Sequence, residues 1–317
     1  MVRSMSTLKP FSTTTYGKWI LSGEHSVLRG QEAIVLPLFS KKLQFSYRPY
    51  MESLSGVNIK RDLQIKTQGC NAEDIESIVR ALLSKALTHI KQEVPVFSGT
   101  IEIFNEIPLG SGLGASSSLC VAFGRWFEFM GLIENSQVYE FSRQLENLFH
   151  GESSGVDIAV VLNEKPLIFK RPNQIQIVKN YFKTHLYLTY SGQRGVTKDC
   201  VEKVKKIFLT DKIKAEALDL KMWKTTEEFK NFYLLQDELV TDKERWEQIA
   251  HAMNQACEVF RDWGLTQGAL DQHMEQLKKL GAKACKPTGS GGGGYVLSLW
   301  DKEVDFAPSD FEFISIT

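Results

Sequence analysis

The chain has 317 residues, and its 38 Lys and Arg balance 38 Asp and Glu, so no overall field draws it to nucleic acid or to an anionic membrane. Apolar residues make up 43% of it and charged residues 24%, an ordinary globular mixture, and the length suggests two domains. The five cysteines are scattered without CxxC spacing, the six histidines form no HxxxH or HExxH pattern, and no apolar run reaches the ~18 residues of a membrane span. With no basic-then-apolar leader in Met1–Pro10, a cytoplasmic protein with reduced cysteines is expected.

In chain order, Trp19–Leu21, Ala33–Leu38 and Lys42–Tyr47 are rich in strand formers, as are Leu63–Thr67 and Thr100–Ile107. Between the last two, Ile75, Ile78, Val79, Leu82, Leu83, Ala86, Leu87 and Ile90 recur at helical spacing. Pro108–Ser118 (PLGSGLGASSS) is a glycine-rich turn, and Leu119, Ala122, Phe123, Trp126, Phe127 and Met130 then mark a helix that Gly131 can end. A further helix carries Val138, Phe141, Leu145 and Leu148, with Glu146 near its end. His185–Tyr190 reads as a strand, Ser191–Gly195 as a turn, and Thr197 as an N-cap opening a helix. Helical patterns follow around Phe229–Leu239, from Trp246 to Trp263 and over Leu270–Leu280, where Gly281 stops the last. Asp211–Thr226, charged and weakly patterned, reads as a mobile surface connection. Tyr295–Trp300 and Phe311–Ile316 read as strands. Two α+β units result, residues 1–175 and 176–317.

Both glycine loops fit the letters G-x-G-x-x-G/A, at Gly110–Ala115 and Gly289–Gly294. Neither has the context of a dinucleotide site: the acidic residue at a suitable distance after the first, Glu128, lies within a helix, and the second feeds a strand. No GxxxxGK[ST] occurs, and the HRD and DFG signatures of protein kinases are missing. Alternating Gly110, Gly112 and Gly114 before a helix that begins with Ser116, Ser117 and Ser118 suit a phosphate seat of backbone N–H groups and hydroxyls. Five glycines among the six residues 289–294 are costly to order, so something must approach that backbone closely. Together with the acidic pair Glu146 and Asp157, these loops indicate a nucleotide-dependent phosphotransferase.

The motifs resemble those of the GHMP kinases, and within them most closely the mevalonate kinases. Gly17–Gly30 (GKWILSGEHSVLRG) is similar to GKxILxGEHxVxxG, Pro108–Ser116 to PxGxGLGxS, Glu146–Asp157 to ExxxHGxxSGxD, and Lys286–Gly294 to KxTGxGGGG. They run in the family's order over nearly the whole chain. Tyr16 stands where a proline usually precedes GK, Ala115 replaces the first paired serine, and Glu152–Ser153 replaces Asn-Pro. The resemblance implies a GHMP kinase fold, two α+β domains with the active site in the cleft between them, ATP and Mg²⁺ as cofactors, and mevalonate as acceptor. It also implies a nucleotide seat of Pro108, Gly110, Ser111, Gly112, Leu113, Gly114, Ala115, Ser116 and Ser117, with Ser116 and Glu146 as Mg²⁺ ligands. Lys18 and Asp157 would be catalytic, Asp157 as general base or as orienter of the hydroxyl. Glu24, His25, Thr197, Gly289 and Ser290 would lie on the substrate side, and His150 would be structural or functional. The other readings are a GHMP kinase for a sugar, phosphomevalonate or a related alcohol, and a nucleotide-binding regulator without catalysis. Family members are often dimers, so a homodimer is compatible with the sequence; neither nucleic acid nor a membrane is expected as a partner.

Overall fold

Strands β1 (Phe11–Ser22) and β2 (Glu32–Pro49) form a long antiparallel ribbon around which the first half is built. The structure is a computed structural model that describes residues 9–50, 63–90, 97–234, 240–304 and 311–316. In β2, buried Leu43, Phe45 and Tyr47 alternate with more accessible neighbours, the period of a strand with one covered face. β3 (Leu63–Gly69), α1 (Ala72–His89), β4 (Gly99–Asn105), α2 (Ala115–Phe129), α3 (Val138–His150), α4 (Val156–Asn163), β5 (Leu167–Lys170) and β6 (Gln174–Ile177) follow. The sheet runs β3-β4-β2-β5-β6, with β1 also on β2; the β3–β4 pair is parallel and the other pairs are antiparallel. α2 is apolar almost all round and sits in the middle of the core, where Phe45, Tyr47, Phe97, Phe123 and Phe127 surround Trp126. β6 carries this sheet to Ile177, two residues past the expected division.

The second half comprises β7 (His185–Tyr190), α5 (Thr197–Thr210), α6 (Lys212–Phe229), α7 (Asp242–Asp262), α8 (Ala269–Leu280), β8 (Ala284–Pro287), β9 (Tyr295–Trp300) and β10 (Ile314–Ser315). Its sheet is antiparallel in the order β10-β7-β9-β8. The main buried cluster crosses between the halves, taking in Trp19 and Phe169 as well as Leu188, Phe229, Ile249 and Leu297.

Two expectations need correction. Asp211–Thr226 is an ordered helix rather than a mobile connection: Asp211 caps it by accepting from Lys214 N–H at 3.0 Å, and Leu218, Met222 and Thr226 are buried. Much of its buried face is polar, which hides it from a hydrophobic pattern. Asp219 takes a two-pronged ion pair from Arg29, and Thr225 and Thr226 meet the Ser22 hydroxyl at 2.9 Å each. In the helical pattern expected around Phe229–Leu239, the described part is helical, with α6 ending at Phe229 and residues 230–234 forming a π-helical turn, while 235–239 lie outside the described residues. Thr197 is not an N-cap: Val196 holds that position, and Thr197 is the first helical residue.

Candidate active site

Lys18 is directed by an irregularity in β1. The β1–β2 register shifts between Tyr16 and Gly17, and beyond the shift Lys18 faces Pro37, which has no N–H to give. The Lys18 N–H donates to Leu113 O, 2.9 Å away in the glycine turn. Its side chain, 3% exposed, runs beside Gly114, where a Cβ would come 2.7 Å from Lys18 Cγ. Its Nζ ends 2.8 Å from Asp157 Oδ2. Asp157 is in the first turn of α4, so the helix N-terminus and the ammonium both bear on its carboxylate. The other oxygen, Oδ1, is buried and has no protein partner.

α2 starts from Gly114 in the left-handed conformation, with no side chain capping its first N–H groups. That leaves an uncapped helix N-terminus for an anion. The three serines beside it divide their tasks. The Ser117 hydroxyl donates to Glu146 Oε1, Ser118 donates to Tyr16 O at 2.9 Å, and Ser116 faces the cleft. Glu146 is 2% exposed, and its Oε2 accepts from Ser153, which stands where the related motif has proline. One carboxylate and one hydroxyl at the cleft suit Mg²⁺, which keeps several waters and takes phosphate oxygens as ligands. Among the described residues no group of three or more His, Cys, Asp or Glu forms a protein cage for a metal.

Glu24 and His25 form another wall. Glu24 Oε1 lies 2.5 Å from Lys286 Nζ, a fully buried ion pair. Burial pushes the Glu24 carboxyl above the usual range, with the charge of Lys286 as the main counterweight. His25 Nε2 meets Ser290 O at 2.9 Å, and burial lowers the ring to about 4, so it is neutral near pH 7. Ser290 also donates to Thr197 Oγ1 at 3.2 Å, which joins the glycine run to α5.

A cleft of about 350 Å³ brings these groups together. It is lined by Lys18, Glu24, His25, Pro108, Gly110, Ser111, Gly112, Gly114, Ala115, Ser116, Glu146, Asp157, Thr197, Gly289 and Ser290. Of the expected site residues only Leu113 and Ser117 lie behind the surface, both fully buried. Leu113 serves through its carbonyl and Ser117 through Glu146. The side chain of His150 lies outside the described residues. Sequence reasoning passed over Lys286, Ser153 and Arg194. Arg194 leans over Gly110, whose Cβ position is 3.0 Å from its Nε, yet an arginine in a turn looks like surface. Lys286 was legible only as a motif letter, with nothing to indicate its partner. The glycine run also has a nearer reason than a ligand: it packs on the other loops, with a Gly294 Cβ 2.4 Å from Ser111 O and a Gly293 Cβ 2.6 Å from Gln193 O.

Residues 81–165 match the GHMP kinases N terminal domain. The solved L. major mevalonate kinase in complex with R-mevalonate superposes with a TM-score of 0.71 at 22% identity, covering 95% of this chain and 90% of that one. This chain has the GHMP kinase fold. Similar proteins include a mevalonate kinase of Thermococcus onnurineus, 25% identical over 89% of this chain and 86% of the relative. Another, from Archaeoglobus fulgidus, is 25% identical over 90% and 91%. The fold extends to a Streptococcus pneumoniae phosphomevalonate kinase, TM-score 0.66 at 15% identity over 92% and 93% of the two chains. Among the described residues no helix is long and apolar enough to cross a membrane.

Proposed function

We propose that this protein is an ATP-dependent mevalonate kinase that transfers the γ-phosphoryl group of ATP to the 5-hydroxyl of mevalonate, giving 5-phosphomevalonate and ADP. The observation that carries the reading is the Lys18–Asp157 ion pair, which faces the same cleft as the uncapped start of α2. The glycine turn and the helix N-terminus bind the triphosphate. Ser116 and Glu146 hold the Mg²⁺ that, when bound, neutralises charge on the phosphate oxygens. Lys18 stabilises charge on the migrating group and fixes Asp157 through Oδ2, which leaves Oδ1 to accept the substrate hydroxyl. As the new O–P bond forms and the bond to the ADP oxygen breaks, the hydroxyl proton passes to Asp157 late in a loose transition state.

Lys18 and Arg194 are the cleft's Lys and Arg among the described residues, and Lys18 is already paired with Asp157. A phosphorylated acceptor would bring its phosphate to that paired lysine and its neighbouring carboxylate, so the less charged mevalonate is the better fit. ADP release measured with mevalonate, phosphomevalonate, galactose and homoserine tests the reading, and no preference for mevalonate overturns it. We place the division between the two units after β6, in residues 178–184, and the free state of all five cysteines fits a cytoplasmic protein.

A further inference from the structure

Lys286 is fully buried and does not line the cleft, yet its ammonium group is spent on the wall behind it. Nζ donates to Glu24 Oε1 at 2.5 Å, to Pro287 O at 2.7 Å and to Ile20 O at 3.4 Å, which uses all three of its hydrogens. Glu24 lines the cleft, and its other oxygen, Oε2, is buried and accepts no hydrogen bond from protein. In the next residue, His25 Nε2 must carry the ring proton because its partner is a carbonyl, so Nδ1 is a lone pair. Nδ1 is also buried without a partner. Two successive residues of the cleft wall thus hold unsatisfied buried acceptors, an arrangement that costs stability unless a ligand brings a donor.

We propose that Lys286 is a positioning residue: by engaging one oxygen of Glu24 it leaves the other to accept a second hydroxyl of the acceptor alcohol. The wall therefore selects alcohols that carry a hydroxyl besides the one phosphorylated. This rests on the kinase reading above, in which that group is the C3 hydroxyl of mevalonate. An alcohol without it leaves Glu24 Oε2 dry and unpaired. Around Glu24 the charged and titratable groups are Lys286 from β8, Lys18 from β1 with Asp157 beyond it, and His25, with Arg29 and its partner Asp219 of α6 behind the ring. Of these, Lys286 opposes protonation of Glu24 most strongly. Without it the carboxyl takes up a proton and can turn away from the cleft.

The test compares mevalonate with 5-hydroxy-3-methylpentanoate, the same molecule without the C3 hydroxyl, in wild type, Lys286→Met, Glu24→Gln and the double variant. Wild type should show a KM roughly 10- to 100-fold higher for the analogue, the worth of a hydrogen bond to a charged group. Lys286→Met should raise the mevalonate KM by a similar factor and leave kcat at saturation, as expected when binding common to ground and transition states is lost. The defect should shrink as pH rises, because Glu24 then ionises again. In the Glu24→Gln background Lys286→Met should add nothing to KM. Equal KM values for the two alcohols in wild type, or a Lys286→Met defect that falls on both alike, overturn the proposal. Should Lys286→Met fail to fold, the wild-type comparison still decides, since equal KM values for the two alcohols refute the wall. Wild-type protein that turns over neither alcohol overturns the kinase reading and this inference with it, whereas turnover without discrimination overturns only the inference.

Discussion

Gly112→Ala tests whether the contact between the phosphate turn and the glycine run sets catalytic geometry. Gly112 has φ +86°, and a Cβ there would lie 2.7 Å from the carbonyl oxygen of Thr288. That oxygen cannot easily yield: the Thr288 N–H is bonded to Tyr295 O at 3.1 Å, and its hydroxyl is engaged with both the N–H and the carbonyl of Ile20. The turn must therefore move, by about 0.5 Å to regain an ordinary contact. If a misplacement of ~1 Å costs about 100-fold, half of that costs roughly 10-fold in kcat. Gly192→Ala is the matched control. Its φ is +79° and nothing lies within 4 Å of its Cβ position, so it suffers the same backbone penalty of about 1–2 kcal/mol without the clash. Steady-state ADP release gives kcat for each variant, and urea unfolding gives stability. The expected result is comparable φ strain in both and a tenfold kcat loss in Gly112→Ala alone. Equal activity in the two variants refutes a rate set by the seam.

Asp157→Asn should lower kcat by roughly 10²–10³ while calorimetry still detects ATP binding, and an unchanged kcat removes Asp157 from the mechanism. Ser153→Ala frees Glu146 Oε2 and should raise the Mg²⁺ concentration for half-maximal rate by roughly 10- to 100-fold; an unaltered Mg²⁺ titration contradicts the placement of Glu146. Met222→Ala in α6 should cost about 2–5 kcal/mol in urea unfolding, where a surface connection would lose almost nothing. His25 makes stability fall with acid. Its folded value, about 4, lies below 6.5, so its contribution is complete above pH 6.5 and is lost as pH falls towards 4, with a limiting slope near ~1.4 kcal/mol per pH unit. Glu24, shifted up by burial, works in the opposite sense just above the ordinary carboxyl value of 4.5, so the decisive readout is whether His25→Asn flattens the curve.

The parts of the site that depend on local backbone were legible in the sequence. Alternating glycines before a serine-rich helix specify an uncapped N-terminus whatever surrounds them, and α2 begins at Ala115 as that pattern requires. Lys18, Glu146 and Asp157 were legible as motif letters, and the structure brings all three to one cleft. Partners supplied by distant segments were not legible. Lys286 meets Glu24 across 262 positions, and Arg29 meets Asp219 across 190. Helix α6 was missed for the same reason: its buried side carries Asp219, Thr225 and Thr226, whose partners Arg29 and Ser22 come from the other half of the chain. A pattern of hydrophobic residues cannot report burial satisfied by polar pairing.

One strand organises the site across both halves, which explains why its irregularity matters. β1 gives the Lys18 N–H to the glycine turn, exchanges two hydrogen bonds between Ile20 and Thr288, and accepts a third at Ile20 O from Lys286. The turn that follows it delivers Glu24 and His25, and Ser22 secures α6. Because side chains alternate along a strand, a slip of one residue would turn Lys18 away from Asp157 and present Gly17 or Trp19 instead. The register is held against that slip by the shifts after Tyr16 and Ile20, and by reciprocal bonding at Thr288 that only one alignment satisfies. The two glycine loops then pack on each other at backbone distance, a Gly112 Cβ falling 2.7 Å from Thr288 O and a Gly294 Cβ 2.4 Å from Ser111 O. The Lys18–Asp157 pair, the glycine turn and the Glu24–His25 wall are thereby tied to one strand, through its main-chain groups at Lys18 and Ile20 and through the buried Thr288 and Lys286 side chains.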